Sequence, residues 1–102
     1  MHSSLSPFFN AKGVAVLGAS TNPKKLSYGI VENLLINGYQ GEVYPVNPKA
    51  DQILGKKAYA SIADVPDPVE LAVVVLPVTV IMETMQAIGE RGIKTVVIIT
   101  GG

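Results

Sequence analysis

The feature that most constrains the fold is a regular alternation between short apolar runs and segments of helical spacing. Four runs have the length and composition of buried strands, at residues 13–18, 42–46, 71–76 and 94–100. Apolar residues recur at helical spacing over 28–37, between the first two runs, and again from Val78 to Ile88, between the last two. Strands joined by helical crossovers pair in parallel and lie in one sheet.

The sequence therefore predicts a Rossmann-like α/β fold, a mostly parallel sheet with helices on both faces. Pro45 has no N–H for a strand ladder, so we expect the second strand at an edge of the sheet. A capping pattern over 61–64 predicts a one-turn helix, and Asn37-Gly38 and Gly89 or Gly92 predict the ends of the two longer helices. The second of these helices carries one apolar stripe, which predicts that its members are core residues: Val78, Ile81, Met82, Met85 and Ile88.

Composition restricts the class of protein. A length of 102 residues supports one domain, which we predict over 1–102, and 48% hydrophobic residues exclude a disordered tail. Eight basic residues balance eight acidic ones, which gives no basic field for nucleic acid, and no apolar run is long enough to span a membrane. The chain has no cysteine and its first ten residues do not resemble a secretory signal, so we expect a cytoplasmic protein. Because Gly101-Gly102 follows a strand directly, we expect an N-terminal fragment of a longer chain that ends after its last strand.

Ligands of open parallel sheets bind outside the carboxyl ends of the strands. The loop after the first strand has the parts of a phosphate cradle: Gly18 for a tight turn, the hydroxyls of Ser20 and Thr21, and the amide groups of the helix that follows. Gly29 would let that helix approach the first strand closely. The loop matches neither the three-glycine dinucleotide fingerprint nor a P-loop, and an ordinary turn remains the alternative.

Positive charge collects in the loops predicted at this edge. Lys49 follows the second strand, where proteins that bind NAD usually carry an acidic residue for the ribose hydroxyls. Five of the eight basic residues fall in these loops: Lys24, Lys25, Lys49, Lys56 and Lys57. A neutral chain with this distribution indicates a polyanionic small molecule, although surface lysines also occur for solubility alone.

Catalytic groups are scarce. His2 is the one histidine and lies near the start of the chain, and Ser20 has no histidine partner and matches no nucleophile elbow. The acidic residues show no spacing typical of a metal site or an acid pair. The sequence therefore supports ligand binding without catalysis by these residues.

Several motifs together resemble the CoA-binding domain of NDP-forming acyl-CoA synthetases. This family includes ADP-forming acetyl-CoA synthetase, the related α subunit of succinyl-CoA synthetase, and protein acetyltransferases that carry the same module. The resemblance covers the chain from Phe8 to Gly102. It is carried by the segments 13–25, 44–49 and 55–59, by Ser61 and Asp64, and by the segment 67–77.

The resemblance implies a role for each matching position. The CoA diphosphate would lie against Gly18, Ala19, Ser20, Thr21, Asn22 and Lys25. Asn47, Pro48 and Lys49 would face the adenosine, with Lys49 near the phosphorylated ribose. The pantetheine channel would be lined by Leu76, Pro77, Ile99, Thr100 and Gly101. Ser27 departs from the glycine that many members carry before the tyrosine, which alters the detail of the first loop.

In such synthetases CoA is the bound substrate, and the acyl group arrives from an acyl phosphate and a phosphohistidine formed on other domains. Those domains, or a subunit that carries them, are therefore the expected partners, together with a possible homo-oligomer. Two alternatives remain open. One is an NADP(H)-binding half-domain of an oxidoreductase, and the other is an assembly module whose exposed sheet face near Ile98 and Ile99 binds a neighbour.

Overall fold

The computed structural model describes residues 11–37, 39–93 and 95–99, and within them it contains a parallel sheet and a small hairpin. The strands in chain order are β1 (Gly13–Leu17), β2 (Glu42–Val46), β3 (Gln52–Ile53), β4 (Lys56–Lys57), β5 (Leu71–Val74) and β6 (Thr95–Ile98). The order in the four-stranded sheet is β2-β1-β5-β6, and its neighbouring strands are all parallel. Strands β3 and β4 pair antiparallel.

Helices cover both faces of the sheet, as the sequence predicts. Helix α1 (Leu26–Ile36) buries Val31 and Leu34 on the face that also holds Val14 and Val16. Helix α2 (Ile81–Glu90) packs Ile88 on the opposite face. Alternate residues of β1 enter the two cores because strand side chains point to opposite faces in turn. The Rossmann-like α/β prediction is therefore confirmed.

Strand β2 lies at the edge of the sheet, as Pro45 predicts. The Tyr59 N–H donates to the Pro45 carbonyl at 2.9 Å on the outer side of β2. A strand residue directs its N–H and C=O to the same side, so the nitrogen of Pro45 also faces outward. The ladder between β1 and β2 therefore loses no hydrogen bond to the proline.

Two predicted helix signals are confirmed at atomic detail. The Ser61 hydroxyl oxygen accepts from the Ala63 N–H at 3.2 Å and begins the 3₁₀ turn Ile62–Asp64. Helix α2 ends in a Schellman arrangement, in which the Ile93 N–H donates to the Ile88 carbonyl and Gly92 has φ +74°. The predicted stop at Gly38 and the outer ends of the last strand, Lys94 and Thr100, lie outside the described residues.

The predicted apolar stripe of α2 is wrong at two positions. Ile81, Met85 and Ile88 pack against the core, but Val78 is 72% exposed and Met82 is 82% exposed. Val78 belongs to a separate 3₁₀ turn, Val78–Val80, whose tighter winding rotates it away from the stripe. Met82 is about 100° around the helix from Ile81, so burial of one exposes the other.

The hairpin of β3 and β4 is missing from the sequence-based prediction, which treats 47–57 as a loop. Its turn places Leu54 at φ 52° and Gly55 at φ 80°, both in the left-handed region. Asn-Gly or Asp-Gly is the usual signal for such a turn, and leucine at the first position hides it. The hairpin buries Ile53 in the core on the α1 face.

Candidate functional site

The topology creates a crevice where the carboxyl ends of β1 and β5 meet. From β1 the chain passes through α1 to β2 on one side, and from β5 it passes through α2 to β6 on the other. Loops that leave two adjacent strands in opposite directions separate and leave a space between them. The sequence-based choice of this edge therefore agrees with the strand order.

Two adjoining cavities occupy this edge. Cavity A, of about 510 Å³, lies between the ends of β1 and β2, the turn at Ile62 and helix α2. Cavity B, of about 580 Å³, lies between the loop after β1, the start of α1 and residues 75–78. Four residues line both cavities: Gly18, Ala19, Asn47 and Leu76. We call these four residues the ridge. An extended ligand could pass across it from one cavity to the other.

Gly18 is required at the ridge by two separate features. Its φ is +86°, and a Cβ built there would lie 2.1 Å from the carbonyl oxygen of Val75. That carbonyl has little freedom to move, because the Val75 N–H donates to the Leu17 carbonyl at 2.9 Å. The loop after β1 can therefore pass close to the end of β5 only with glycine at this position.

The structure contradicts the role predicted for Gly29. A Cβ built at Gly29 would meet nothing within 4 Å, so the absence of a side chain does not bring α1 closer to β1. Helix α1 and the sheet are held together by the larger buried side chains of Val31 and Leu34.

The polar side chains of the loop after β1 bond to the loop itself. The Ser20 Oγ accepts from the Asn22 N–H at 2.9 Å, and the Asn22 Oδ1 accepts from the Lys24 N–H at 2.9 Å. Gly18, Ala19, Ser20 and Lys25 line cavity B, whereas Thr21 and Asn22 are exposed and line neither cavity. Asn22 therefore shapes the loop, and the cavity wall itself consists of the residues on either side of it.

The start of helix α1 leaves amide donors at cavity B. Lys25 is its N-cap residue and makes no side-chain capping hydrogen bond. Within the described ranges, the N–H groups of Leu26 and Ser27 have no protein acceptor, and both residues line cavity B. Free first-turn amides and the positive end of the helix dipole favour an anion.

Asn47 joins the two loops at the ridge. Its Nδ2 donates to the Ala19 carbonyl at 2.9 Å, and its Oδ1 accepts from the Lys49 N–H at 2.7 Å. Its own N–H donates to the Tyr59 carbonyl at 2.8 Å. The side-chain amide is thus engaged with the protein at both ends and fixes the positions of Pro48 and Lys49, which line cavity A.

The predicted cluster of five lysines is only partly assembled. Lys25 lines cavity B and Lys49 lines cavity A, and Lys24 is exposed on the same loop as Lys25. The Lys56 ammonium lies 4.0 Å from the carboxylate of Glu42, the first residue of β2 and thus at the opposite end of that strand. Lys57 lies 5.2 Å from the centre of the Tyr59 ring. The hairpin runs back along β2, so the prediction for Lys56 is wrong.

The residues predicted for the pantetheine channel are divided in the structure. Leu76 lines both cavities and Pro77 lines cavity B. Ile99 packs against the core on the α1 face and lines neither cavity, and its N–H donates to the Val74 carbonyl at 2.9 Å. Thr100 and Gly101 lie outside the described residues.

Several lining residues are absent from the sequence-based set. Ser27, Leu26 and Val78 line cavity B, and Glu83 and Thr84 line cavity A. The position of Glu83 could have been expected, because the helix that follows β5 begins at the carboxyl edge of the sheet. Ser27 is identified from the sequence only as a departure from a family pattern, because its burial depends on tertiary packing.

The described residues contain no cluster of three or more His, Asp or Glu side chains that could hold a metal ion. Burial raises the pKa of Tyr39 and of Tyr44 above the ordinary value of 10.0, with smaller contributions from nearby carboxylates such as Glu70 and Glu42. Neither tyrosine lines a cavity. No helix in this part of the chain has both the length and the apolar character needed to cross a membrane.

Comparison with protein families identifies one that covers most of the chain. The family described as CoA binding domain matches residues 12–102. The α subunit of acetate–CoA ligase (ADP-forming) II from Pyrococcus furiosus is 48% identical over 99 residues, which are 96% of this chain and 21% of that protein. The 4-hydroxybutyrate–CoA ligase (ADP-forming) from Nitrosopumilus maritimus is 40% identical over 95% of this chain and 14% of its own length.

Solved structures share the fold at comparable identity. Acetyl-coenzyme A synthetase 1 from Ca. Korarchaeum cryptofilum, in complex with phosphate and ADP, has a TM-score of 0.88 and 42% identity over 96% of this chain and 21% of that one. A conserved hypothetical protein from Pyrococcus furiosus has a TM-score of 0.79 and 36% identity over 86% of this chain and 74% of its own. The chain thus spans about a fifth or less of the ligases described above and most of the smaller protein.

Proposed function

The chain belongs to the CoA binding domain family, and from this premise we propose that it binds CoA across the ridge between cavities A and B. The adenosine would occupy cavity A, the diphosphate would lie over Gly18 to Ser20 at the start of α1, and the pantetheine would leave cavity B past Leu76 and Pro77. The observation that carries this proposal is the junction of the two cavities at Gly18, Ala19, Asn47 and Leu76.

The chemistry of each wall supports this orientation. Cavity B offers the free amides of Leu26 and Ser27 and the Lys25 side chain, which suit a diphosphate. Its outer part is apolar, with Leu26 at 53% and Val78 at 72% exposure, which suits the alkyl portions of pantetheine. Cavity A combines apolar lining residues with Lys49, which can meet the additional phosphate on the ribose of CoA.

Calorimetric titration with CoA and with dephospho-CoA tests the orientation. Dephospho-CoA lacks only the ribose phosphate, so we expect Lys49→Gln to weaken CoA binding about threefold to tenfold and to leave dephospho-CoA binding unchanged. Lys12→Gln is the matched control, because Lys12 is exposed and immediately precedes β1, at the opposite end of the sheet. Equal effects of Lys49→Gln on both ligands, or equal effects of the two substitutions, would refute the role of Lys49.

In a longer protein or complex, this domain would hold CoA for acyl transfer. The proteins to which it is similar are named as ADP-forming acetate–CoA and 4-hydroxybutyrate–CoA ligases, and the chain matches 21% and 14% of their length. Because the chain matches only this part of the ligases, we propose that the acid–thiol ligase reaction depends on groups on other domains or on a subunit. The parent protein would then be an ADP-forming acid–thiol ligase, and the absence of cysteine is compatible with a cytoplasmic location.

Family membership favours CoA over the NADP(H) alternative. Competition between the two ligands separates them further. If NADPH fluorescence changes on addition of the chain and CoA does not reverse the change, the oxidoreductase alternative gains and the CoA proposal fails. We expect CoA to bind without competition from NADPH at equal concentration.

Exposed apolar side chains support a second role in assembly. Met82 and Ile98 are 82% and 44% exposed and line neither cavity. Large exposed apolar side chains often belong to protein–protein interfaces. Sedimentation velocity at increasing concentration tests self-association: a shift to dimer that Met82→Gln reduces would support it, and a monomer at all concentrations would exclude a homo-oligomer.

A further inference from the structure

Apart from Tyr44, Ser27 is the one described residue with a polar side chain that the fold buries, with 4% of its surface exposed. It is the second residue of helix α1, and it lines cavity B together with Ser20, Lys25 and Leu26. A serine in a helix commonly satisfies its hydroxyl by bonding to the carbonyl four residues earlier. Among the described residues, the Ser27 Oγ has no hydrogen-bond partner of this or any other kind.

Ser27 is held at the wall of the cavity. Its side chain lies on the buried side of helix α1, together with Val31 and Leu34. The surface it retains is small, and the residue lines cavity B. A polar group held at a cavity wall without a protein partner is a group that a ligand can satisfy.

We infer that the Ser27 hydroxyl donates a hydrogen bond to the diphosphate of the ligand in cavity B. This inference rests on the proposed function, because it takes CoA as the ligand. The hydroxyl lies beside the free N–H groups of Leu26 and Ser27, so side chain and backbone together present donors to one anion. Ser27 would thus be a binding residue specific for the diphosphate, distinct from Lys49 in cavity A.

Substitution by alanine separates this role from a structural one. Alanine has the better helix propensity, and no protein hydrogen bond is lost, so we expect Ser27→Ala to keep or raise the melting temperature. A hydrogen bond from a neutral donor to a charged phosphate corresponds to about a tenfold or larger change in affinity. We therefore expect weaker binding of CoA and of dephospho-CoA by the same factor, with no loss of stability.

The experiment is calorimetric titration of the wild-type chain, Ser27→Ala and the control Thr95→Ala with CoA and dephospho-CoA. Thr95 is exposed at the start of β6, at the end of the sheet away from the cavities, so its hydroxyl should not affect either ligand. Combined Ser27→Ala and Lys49→Gln should give additive losses for CoA, because the two side chains would contact different phosphates.

The outcomes distinguish the inference from the proposed function. If the wild-type chain binds neither ligand, the proposed function fails. If it binds both and Ser27→Ala binds them equally well, only the role of Ser27 fails. Should Ser27→Ala be unstable, Ser27→Cys decides, because a thiol keeps the side-chain shape but is only a weak hydrogen-bond donor: both ligands should bind it several-fold more weakly, and unchanged affinity would overturn the inference.

Discussion

Replacement of Gly18 by alanine is the most informative single change at the ridge. Alanine at φ +86° would cost about 1–2 kcal/mol in backbone strain. Its Cβ would also lie 2.1 Å from the Val75 carbonyl oxygen, and crowding of this kind costs about 1–3 kcal/mol. The two effects together predict a loss of about 2–5 kcal/mol in the free energy of unfolding, which lowers the melting temperature by at least about 8 °C.

Ligand binding should suffer along with stability. Gly18 lines both cavities, so any backbone shift that relieves the contact with Val75 also moves the wall between them. We expect CoA affinity to fall more than tenfold in calorimetric titration at a temperature where the variant is folded. Thermal unfolding followed by circular dichroism gives the stability change under the same conditions.

Gly29→Ala is the matched control for this prediction. Gly29 lies in helix α1, and a Cβ there meets nothing within 4 Å, so alanine should raise the free energy of unfolding by about 0.5–1 kcal/mol. CoA affinity should stay unchanged. If Gly18→Ala is as stable as the wild-type chain and binds CoA equally well, the close approach of the loop to β5 does not require glycine at position 18.

Three further substitutions test other parts of the structure. Asn47→Asp replaces the donor that bonds to the Ala19 carbonyl with a negatively charged oxygen, and should cost about 2 kcal/mol in urea unfolding; unchanged stability would contradict the joining role of Asn47. Tyr39 has a pKa raised above 10.0 by burial, so the stability it contributes is present below pH 10 and lost as the pH rises through the higher folded-state pKa. Tyr39→Phe should lower the free energy of unfolding at pH 8 by about 1 kcal/mol, because the hydrogen bond to the Ala11 carbonyl is lost. The free energy of unfolding should also fall less steeply above pH 10 in the variant. An equally steep fall in both proteins would contradict this role of Tyr39. Arg91→Met removes the donors to the carbonyls of Ile62 and Val65 and should cost about 2 kcal/mol in thermal unfolding, whereas an unaffected melting temperature would show that the turn beside cavity A needs no such support.

Local and repetitive signals explain why most of the fold could be predicted from the sequence. Apolar runs and helical spacing identify the four strands of the sheet and the two helices, and Pro45 identifies the edge strand. The Ser61 cap and the Gly92 stop are interactions over a few residues, which sequence patterns report well. These elements also locate the ligand edge, because strand order alone determines where the loops separate.

The errors concern features that depend on distant parts of the chain. Lys56 is directed to the amino end of β2 because the hairpin turns back, and that turn rests on a leucine in a left-handed conformation. The exposure of Met82 follows from which side of α2 faces the sheet. A Cβ at Gly29 would face open space, whereas Ser27 lines a cavity. The spacing of residues along one helix does not predict this difference.

A crystal structure of the chain with CoA is the most direct test of binding across the ridge. The adenine should be found between Lys49 and Thr84, and the phosphates should lie within hydrogen-bond distance of the amides that begin α1. The thiol arm should extend past Pro77. A nucleotide bound on any other surface, or one whose phosphates face away from α1, would contradict the account.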